Sequence, residues 1–336
     1  MDKSLSPIAV LGAGSWGTAL ARLLADNGQP TLLWARDAAQ AAEMIVSRRN
    51  PRYLSEVLLP QQLQIHSDIR QVVSSADDVL LVVPTQGFRP VLRDIAPHLS
   101  TTARIAWACK GLEPNSGKLL HEVVAEELGV HRPLAVISGP TFAREVALDL
   151  PTAVTVASSV PEFAAALAAR LGNNHFRAYT SEDVIGVEVG GAIKNVLAIA
   201  AGIADGLGFG ANTQAALVTR GLAEMMRLGV VLGGQRETFM GLAGLGDLVL
   251  TCTDDQSRNR RVGLALARGQ TLAEACASVR QVAEGVKAAR EVQGQAREHG
   301  VEMPITEQVC RVLYEGLEPR AAVQTLLQRE QKAESL

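Results

Sequence analysis

The segment VEVGGAIKNVLAIAAGIADGLGFG, residues 187–210, separates two kinds of sequence. Before it, short apolar runs alternate with helical patterns; after it, the strand-like runs stop. A single cation, Lys194, stands inside this apolar stretch and is followed by Asn195. On a helix, Gly190 and Gly191 lie one turn before Lys194 on the same face, and the lysine stem leans back across them. Glycines inside a helix cost about 1 kcal/mol each relative to alanine. Close approach of another backbone or of a ligand would offset that cost. The competing reading is tight helix packing, with Lys194 snorkelling to water.

Toward the N-terminus, the apolar run Ile8–Leu11 enters Gly12-Ala13-Gly14-Ser15-Trp16-Gly17, and residues 18–27 read as a helix. A GxGxxG between strand and helix is the dinucleotide fingerprint. Gly12 makes the turn, Gly14 admits the pyrophosphate and Gly17 lets helix pack on strand, with the helix N-terminus facing the phosphates. The next strand, residues 31–35, ends at Arg36-Asp37. An acidic residue there binds the ribose 2′-hydroxyl of NAD, whereas an arginine accommodates the 2′-phosphate of NADP. Arg36 comes first, so NADP is at least accepted. Further strands are expected at 79–83, 104–109, Leu134–Ser138, 153–157 and, more weakly, 175–179. Their near-continuous apolar character suits a parallel sheet covered on both faces. Ligands bind past the carboxyl ends of such strands, which brings Lys110-Gly111 and the run from Gly139 through Thr141 to Ala143 into view. Lys110 follows IAWAC directly and points to a cleft or, in the plainer reading, to solvent.

From residue 181 the pattern is helical nearly to the end, with a capping box at Thr271-x-x-Glu274 and helix starts at Pro304 and Pro319. The domain boundary is expected near residue 183, dividing a dinucleotide-binding domain, 1–183, from a helical domain, 184–336. In the second domain, Gly241, Gly244 and Gly246 bring the backbone close to something just before Asp247. Ser257-Arg258-Asn259-Arg260-Arg261 opens a helix placed at 262–268. Hydroxyl, guanidinium, amide and helix N–H groups arriving together suit a phosphate dianion. In the alternative, Ser257 is only an N-cap and the arginines form a solvated face, although arginines in a first helical turn oppose the helix dipole.

Composition bounds the rest. The 336 residues suffice for two domains with substantial cores, and 47% hydrophobic with 20% charged residues is ordinary globular composition. A net charge of −3 gives no support for nucleic acid or an anionic membrane as partner. Four scattered cysteines and six histidines without ligand spacing fit a reduced, cytoplasmic protein with no metal and no disulfide framework. No signal peptide or membrane-inserted helix is expected, since Glu188, Lys194 and Asp205 interrupt the apolar stretch around residue 196.

In combination, GAGSWG, VVPT, the turn Lys110-Gly111-Leu112-Glu113, SGPTFA, GGAIKN, AGLGDLVLTCT and SRNRR resemble the bacterial NAD(P)-dependent glycerol-3-phosphate dehydrogenases, from about residue 8 to residue 325. The resemblance implies an α/β Rossmann-type doubly wound sheet followed by an all-α domain like that of 6-phosphogluconate dehydrogenase. It also implies reversible reduction of dihydroxyacetone phosphate to sn-glycerol 3-phosphate, the phospholipid backbone, with NADP(H) or NAD(H) as cofactor. By position it casts Lys194 as the proton acceptor and Ser15, Trp16, Arg36, Ala143, Val282 and Glu284 as cofactor contacts, with Gly139 and Thr141 lining the substrate. Lys110 would lie between cofactor and substrate, and Arg258 would reach both. Asn195, Asp247, Ser257 and Asn259 would bind substrate. On this reading Lys110 lowers the pKa of Lys194 by like-charge repulsion and stabilises the developing oxyanion, while Asp247 balances the two cations. A homodimer with a small-molecule substrate is expected. The alternatives are a related β-hydroxyacid dehydrogenase, opposed by SRN and KGLE, and a non-catalytic NAD(P)-sensing protein, opposed by Lys110, Lys194 and Asp247 together.

Overall fold

A computed structural model describes residues 6–279 and 283–330. The chain divides into two compact units, Met1–Cys109 with His121–Val184, and Lys110–Leu120 with Ile185–Leu336.

The first unit is built on an eight-stranded sheet ordered β3-β2-β1-β4-β5-β6-β7-β8. Its strands are β1 Ile8–Leu11, β2 Thr31–Trp34, β3 Gln64–His66, β4 Asp78–Leu81, β5 Arg104–Trp107, β6 Leu134–Ser138, β7 Thr152–Ala157 and β8 Phe176–Ser181. β1, β2 and β4 are buried along their whole length, as apolar strands covered on both faces must be. The order reverses between β2-β1 and β4, and that switch point is where open α/β sheets bind ligands. The helix after β1, Ser15–Asp26, packs Leu20, Leu23 and Leu24 into the core of this unit. It starts inside the glycine motif, three residues earlier than the sequence pattern suggests.

Two features of the sheet depart from expectation. β3 is only three residues long, too short to stand out as a periodic run. β7 runs antiparallel to β6, so the sheet is not wholly parallel. The connection, residues 139–151, carries the short helix Ala143–Ala147 and returns the chain to the end where β6 stops, so that Ser138 pairs with Thr155. β7 and β8 are then parallel to each other, joined through the helix Pro161–Leu171.

The second unit is helical, with Val184–Gly206 at its centre. Ala192, Ile193, Val196, Leu197 and Ile199 of this helix lie in one apolar cluster with residues of the helices Ala211–Val231, Glu284–Glu298 and Pro304–Tyr314. Among the described residues it is the one helix long and apolar enough to cross a membrane, but 83% of its apolar window is buried inside the protein. Gly202 and Gly263 explain how another helix comes so close. A Cβ on Gly202 would lie 1.9 Å from the Arg260 carbonyl oxygen, and one on Gly263 would lie 2.1 Å from that of Ile199. The helix Leu272–Ser278 carries the capping box read from Thr271 and Glu274.

Candidate active site

Gly190 shows what the glycines of the central helix do. A Cβ there would sit 2.6 Å from the carbonyl oxygen of Ala243, so glycine admits another backbone, not a ligand. That backbone is the π-helical turn Leu242–Gly246, closed by the Gly246 N–H donating to the Gly241 carbonyl at 3.1 Å. A single π turn feeding an α-helix is a recurrent mark of functional sites. It leads directly into the helix Asp247–Thr253 and sets Asp247 against the lysine one turn along from Gly190.

Asp247 is fully buried and bridges two lysines. Its Oδ1 accepts from Lys194 Nζ at 2.7 Å and its Oδ2 from Lys110 Nζ at 2.7 Å. Lys194 also donates to Thr251 Oγ1 at 3.0 Å, and that hydroxyl donates to the Asp247 carbonyl at 2.6 Å. With only 8% of its side chain exposed, Lys194 is not snorkelling to water. Thr251 was missed in the sequence, although the spacing Asp247-Leu-Val-Leu-Thr251 puts both side chains on one helical face. Two cations and one anion in a largely buried site leave a net positive charge.

The two lysines arrive from separate segments, joined by a chain of amides. Asn195 Nδ2 donates to the Lys110 carbonyl at 3.1 Å and to the Gly191 carbonyl at 3.1 Å. Asn259 Nδ2 donates to Asn195 Oδ1 at 2.8 Å, and Asn259 Oδ1 accepts from the Gly285 N–H at 3.0 Å. A Cβ on Gly285 would come within 2.4 Å of the Asn195 carbonyl oxygen. The network thus ties the Lys110 turn, the central helix, the SRN helix start and the helix Glu284–Glu298 together.

Burial is the main influence on Lys194, lowering its pKa to about 8; Asp247 opposes this and Lys110 adds repulsion. Desolvation therefore outweighs the like-charge effect anticipated from Lys110. For Asp247, burial alone would raise the pKa, but the ammoniums of Lys110 and Lys194 overcome it and hold the carboxyl below its usual value.

Ser257 is the N-cap of the helix Arg258–Ala267, which begins four residues earlier than its apolar pattern suggests; the Arg260 N–H donates to Ser257 Oγ at 3.3 Å. Capping uses the oxygen as acceptor and leaves the O–H as a donor, so the two readings of this serine are compatible. Arg260 is committed to Asp205 at 2.5 Å and to Asp255. Arg258 still reaches solvent, yet desolvation of its guanidinium lowers its pKa, with Glu284 opposing.

The glycine turn lies in the first unit. Gly12 has φ +123°, and a Cβ there would lie 2.4 Å from the Val82 carbonyl oxygen. A Cβ on Gly17 would lie 1.8 Å from the Gly12 carbonyl oxygen, whereas one on Gly14 would meet nothing within 4 Å. Turn, open face and packing contact therefore fall on the first, second and third glycine in order. The helix Ser15–Asp26 has no side-chain cap, so its first N–H groups are left for a ligand. The Trp16 indole N–H is shielded from solvent with no hydrogen-bond partner, and Ser15 Oγ donates to the Tyr53 carbonyl at 3.1 Å. These residues fit a dinucleotide pyrophosphate.

At the end of β2, Asp37 caps the helix Ala38–Ser47, accepting from the Ala39 and Gln40 N–H groups at 2.9 and 3.4 Å, while Arg36 stands exposed. Gly139 follows β6 with φ +150°, Thr141 Oγ1 donates to the Gly139 carbonyl at 3.2 Å, and Ala143 opens the helix Ala143–Ala147. Of the candidate residues, Lys110, Lys194, Asn195, Asp247, Ser257, Arg258, Asn259 and Glu284 belong to the second unit. Gly12, Gly14, Ser15, Trp16, Gly17, Arg36, Gly139, Thr141 and Ala143 belong to the first. Val282 lies outside the described residues.

Two family models match the chain, one after the other. Residues 7–164 match the model of the NAD-dependent glycerol-3-phosphate dehydrogenase N-terminus, and residues 183–324 match that of its C-terminus. A glycerol-3-phosphate dehydrogenase (NAD(P)+) of Nitrosococcus oceani is 59% identical over 333 residues, 99% of this chain and 97% of that protein. One from Thioalkalivibrio sulfidiphilus is 55% identical, covering 98% of this chain and 99% of its own. The crystal structure of glycerol-3-phosphate dehydrogenase from Coxiella burnetii superposes with a TM-score of 0.94 at 50% identity, over 97% of this chain and 99% of that one. D-mandelate dehydrogenase, at 13% identity and a TM-score of 0.65, shares the fold. With both family models matched in sequence order, the chain belongs to the NAD-dependent glycerol-3-phosphate dehydrogenase family.

Proposed function

We propose that this protein reduces dihydroxyacetone phosphate to sn-glycerol 3-phosphate, reversibly, with NADPH or NADH. The observation that carries the reading is the buried carboxylate of Asp247 held between Lys110 and Lys194. When bound, the nicotinamide supplies the hydride for the substrate C2 carbonyl. Protonated Lys194 gives its proton to the C2 oxygen, and in the reverse direction neutral Lys194 takes it from the hydroxyl. A pKa near 8 keeps both forms accessible close to neutral pH. Lys110 faces the developing oxyanion with a preorganised positive charge, and Asp247 holds both ammoniums so that little reorganisation accompanies reaction.

Ser257, Arg258 and Asn259 hold the substrate phosphate, which orients the reacting end. Gly139 and Thr141 complete the substrate site. Asn195 contributes by fixing the Lys110 carbonyl, since both of its amide hydrogens and its oxygen are engaged, whereas Asn259 keeps one amide hydrogen to donate. Gly12, Gly14, Ser15, Trp16, Gly17, Arg36, Ala143, Val282 and Glu284 serve the cofactor, together with Lys110 and Arg258. Residues 1–183, apart from the Lys110–Leu120 segment that belongs to the second unit, act as the cofactor-binding domain, and 184–336 as the substrate and catalytic domain. With Asp37 engaged as a helix cap, Arg36 is the side chain offered to the cofactor 2′-position, which favours NADPH. The protein works as a cytoplasmic homodimer that supplies the glycerophospholipid backbone.

The test is steady-state NADPH oxidation with and without dihydroxyacetone phosphate. Oxidation that depends on this substrate is expected. Turnover with β-keto acids instead would make the protein a β-hydroxyacid dehydrogenase, and NADPH binding without any turnover would make it a sensor.

A further inference from the structure

Behind the glycine turn stands a fully buried asparagine with no assigned role. Asn50 Nδ2 donates to the Ala13 carbonyl at 3.0 Å and to Thr18 Oγ1 at 2.8 Å, and its Oδ1 accepts from Gln40 Nε2 at 3.3 Å. Gln40 Nε2 donates to the same Ala13 carbonyl at 2.9 Å. One carbonyl in the middle of GAGSWG thus receives two side-chain donors, one from the helix Ala38–Ser47 and one from the segment after it. The local backbone is built to present Asn50. Its carbonyl accepts the Leu54 N–H at 2.8 Å, and Arg48 takes a left-handed conformation with φ 50° while its guanidinium donates to the Leu63 carbonyl at 2.9 Å.

The consequence follows from peptide geometry. In a trans peptide the C=O and the following N–H point in opposite directions. Among the described residues there is no cis peptide, so drawing the Ala13 carbonyl inward turns the Gly14 N–H outward. It emerges at the one glycine of the motif whose Cβ position is open space. Without the two donors, the Ala13 carbonyl would be a buried acceptor short of partners, and rotation of this peptide would relieve it.

We propose that Asn50, seconded by Gln40, is a positioning residue for cofactor binding: it sets the Ala13–Gly14 peptide so that the Gly14 N–H faces the pyrophosphate. This rests on the reading of the glycine turn as the dinucleotide site. Asn50 touches no ligand itself, because both ends of its amide are committed within the protein.

The experiment measures binding rather than turnover, in the full chain, for wild type, Asn50→Leu and Gln40→Leu. The probes are NADPH, followed by its fluorescence, and adenosine 2′-monophosphate, which carries the 2′-phosphate but no pyrophosphate, followed by calorimetry. In Asn50→Leu the Kd for NADPH is expected to rise about tenfold, as for loss of one or two positioning hydrogen bonds, with adenosine 2′-monophosphate binding unchanged. The KM for NADPH should rise in parallel while kcat at saturating NADPH holds. Gln40→Leu, at a partly exposed helical position, should show a smaller rise with the same selectivity, and it carries the test if Asn50→Leu does not fold. Equal weakening of both probes, or unchanged NADPH affinity in Gln40→Leu and Asn50→Leu alike, would overturn the proposal. Wild-type protein that fails to bind NADPH would overturn the cofactor reading itself, before any substitution is made.

Discussion

On the proposed function, the glycine turn of the first unit and the lysine–aspartate cluster of the second are opposite solutions to holding an anion. The turn is made of backbone: Gly12 to Gly17 are contiguous, and their work is done by missing side chains and by N–H groups. The cluster is made of side chains from Lys110, Lys194 and Asp247, which meet only because Gly190 lets a π turn approach the central helix. A backbone site binds without titrating, whereas a buried amine beside a carboxylate binds and also moves a proton. The difference teaches where affinity and chemistry should separate under mutation.

The largest expected effect is on chemistry alone. Lys194→Met keeps an unbranched side chain of similar bulk in a helical position, so folding and NADPH binding should survive while kcat falls at least about 100-fold. Wild-type oxidation of glycerol 3-phosphate should rise with pH through about 8, as Lys194 becomes the neutral acceptor, and the variant's residual activity should lack that limb. Near-normal turnover with an unchanged pH profile would break the comparison and leave Lys110 as the candidate.

Next in size is an effect on affinity alone. Removing the guanidinium in Arg36→Ala should raise the KM for NADPH by about 10- to 150-fold, with little change for NADH. Equal losses for both cofactors would show that Arg36 does not serve the 2′-phosphate.

Two alanine substitutions then separate fold from ligand within one motif. Gly17→Ala places a Cβ against the Gly12 carbonyl and should cost about 1–3 kcal/mol, read as a lowered Tm. Gly14→Ala meets nothing in the protein and should leave Tm unchanged while weakening NADPH binding. If Gly14→Ala bound NADPH normally, the open face at Gly14 would not be the pyrophosphate contact.

The last contrast sets two buried carboxylates side by side. Asp247 is held down by two lysines, whereas Glu224 is pushed up to about 7 by burial, against hydrogen bonds from Ile305 and Thr306 and the charge of Arg227. Folded protein keeps the Glu224 proton to about pH 7, while the unfolded chain sheds it near 4.5. Stability from this group is therefore present below 4.5 and lost as pH rises through 7. Glu224→Gln should remove that slope, so its Tm relative to wild type should climb across this window. A constant difference would show that Glu224 is ionised throughout.

Legibility in the sequence followed the same division. The GxGxxG turn, most strands, the Thr271 capping box and the standing of Lys194 in an apolar helix could be read directly, because each depends on neighbours in the chain. β3 escaped at three residues, and the antiparallel return of β7 is a property of its pairing with β6 rather than of its own composition. The glycines of the central helix could be read as needing a close neighbour, but not as receiving the turn before Asp247. Asn50 and Gln40 gave no warning, and Thr251 only its i+4 spacing from Asp247, since a threonine or an amide takes its meaning from what it is buried against.

By itself, then, the sequence determined the order of most strands and helices, the dinucleotide turn and the family, all of which rest on local spacing and contiguous motifs. Tertiary structure alone decided that Asp247 bridges Lys110 and Lys194, and that burial rather than repulsion dominates the pKa of Lys194. The physical reason is range. Backbone conformation and periodicity are set within a few residues, whereas desolvation and ion pairing depend on groups brought together from more than 50 positions apart.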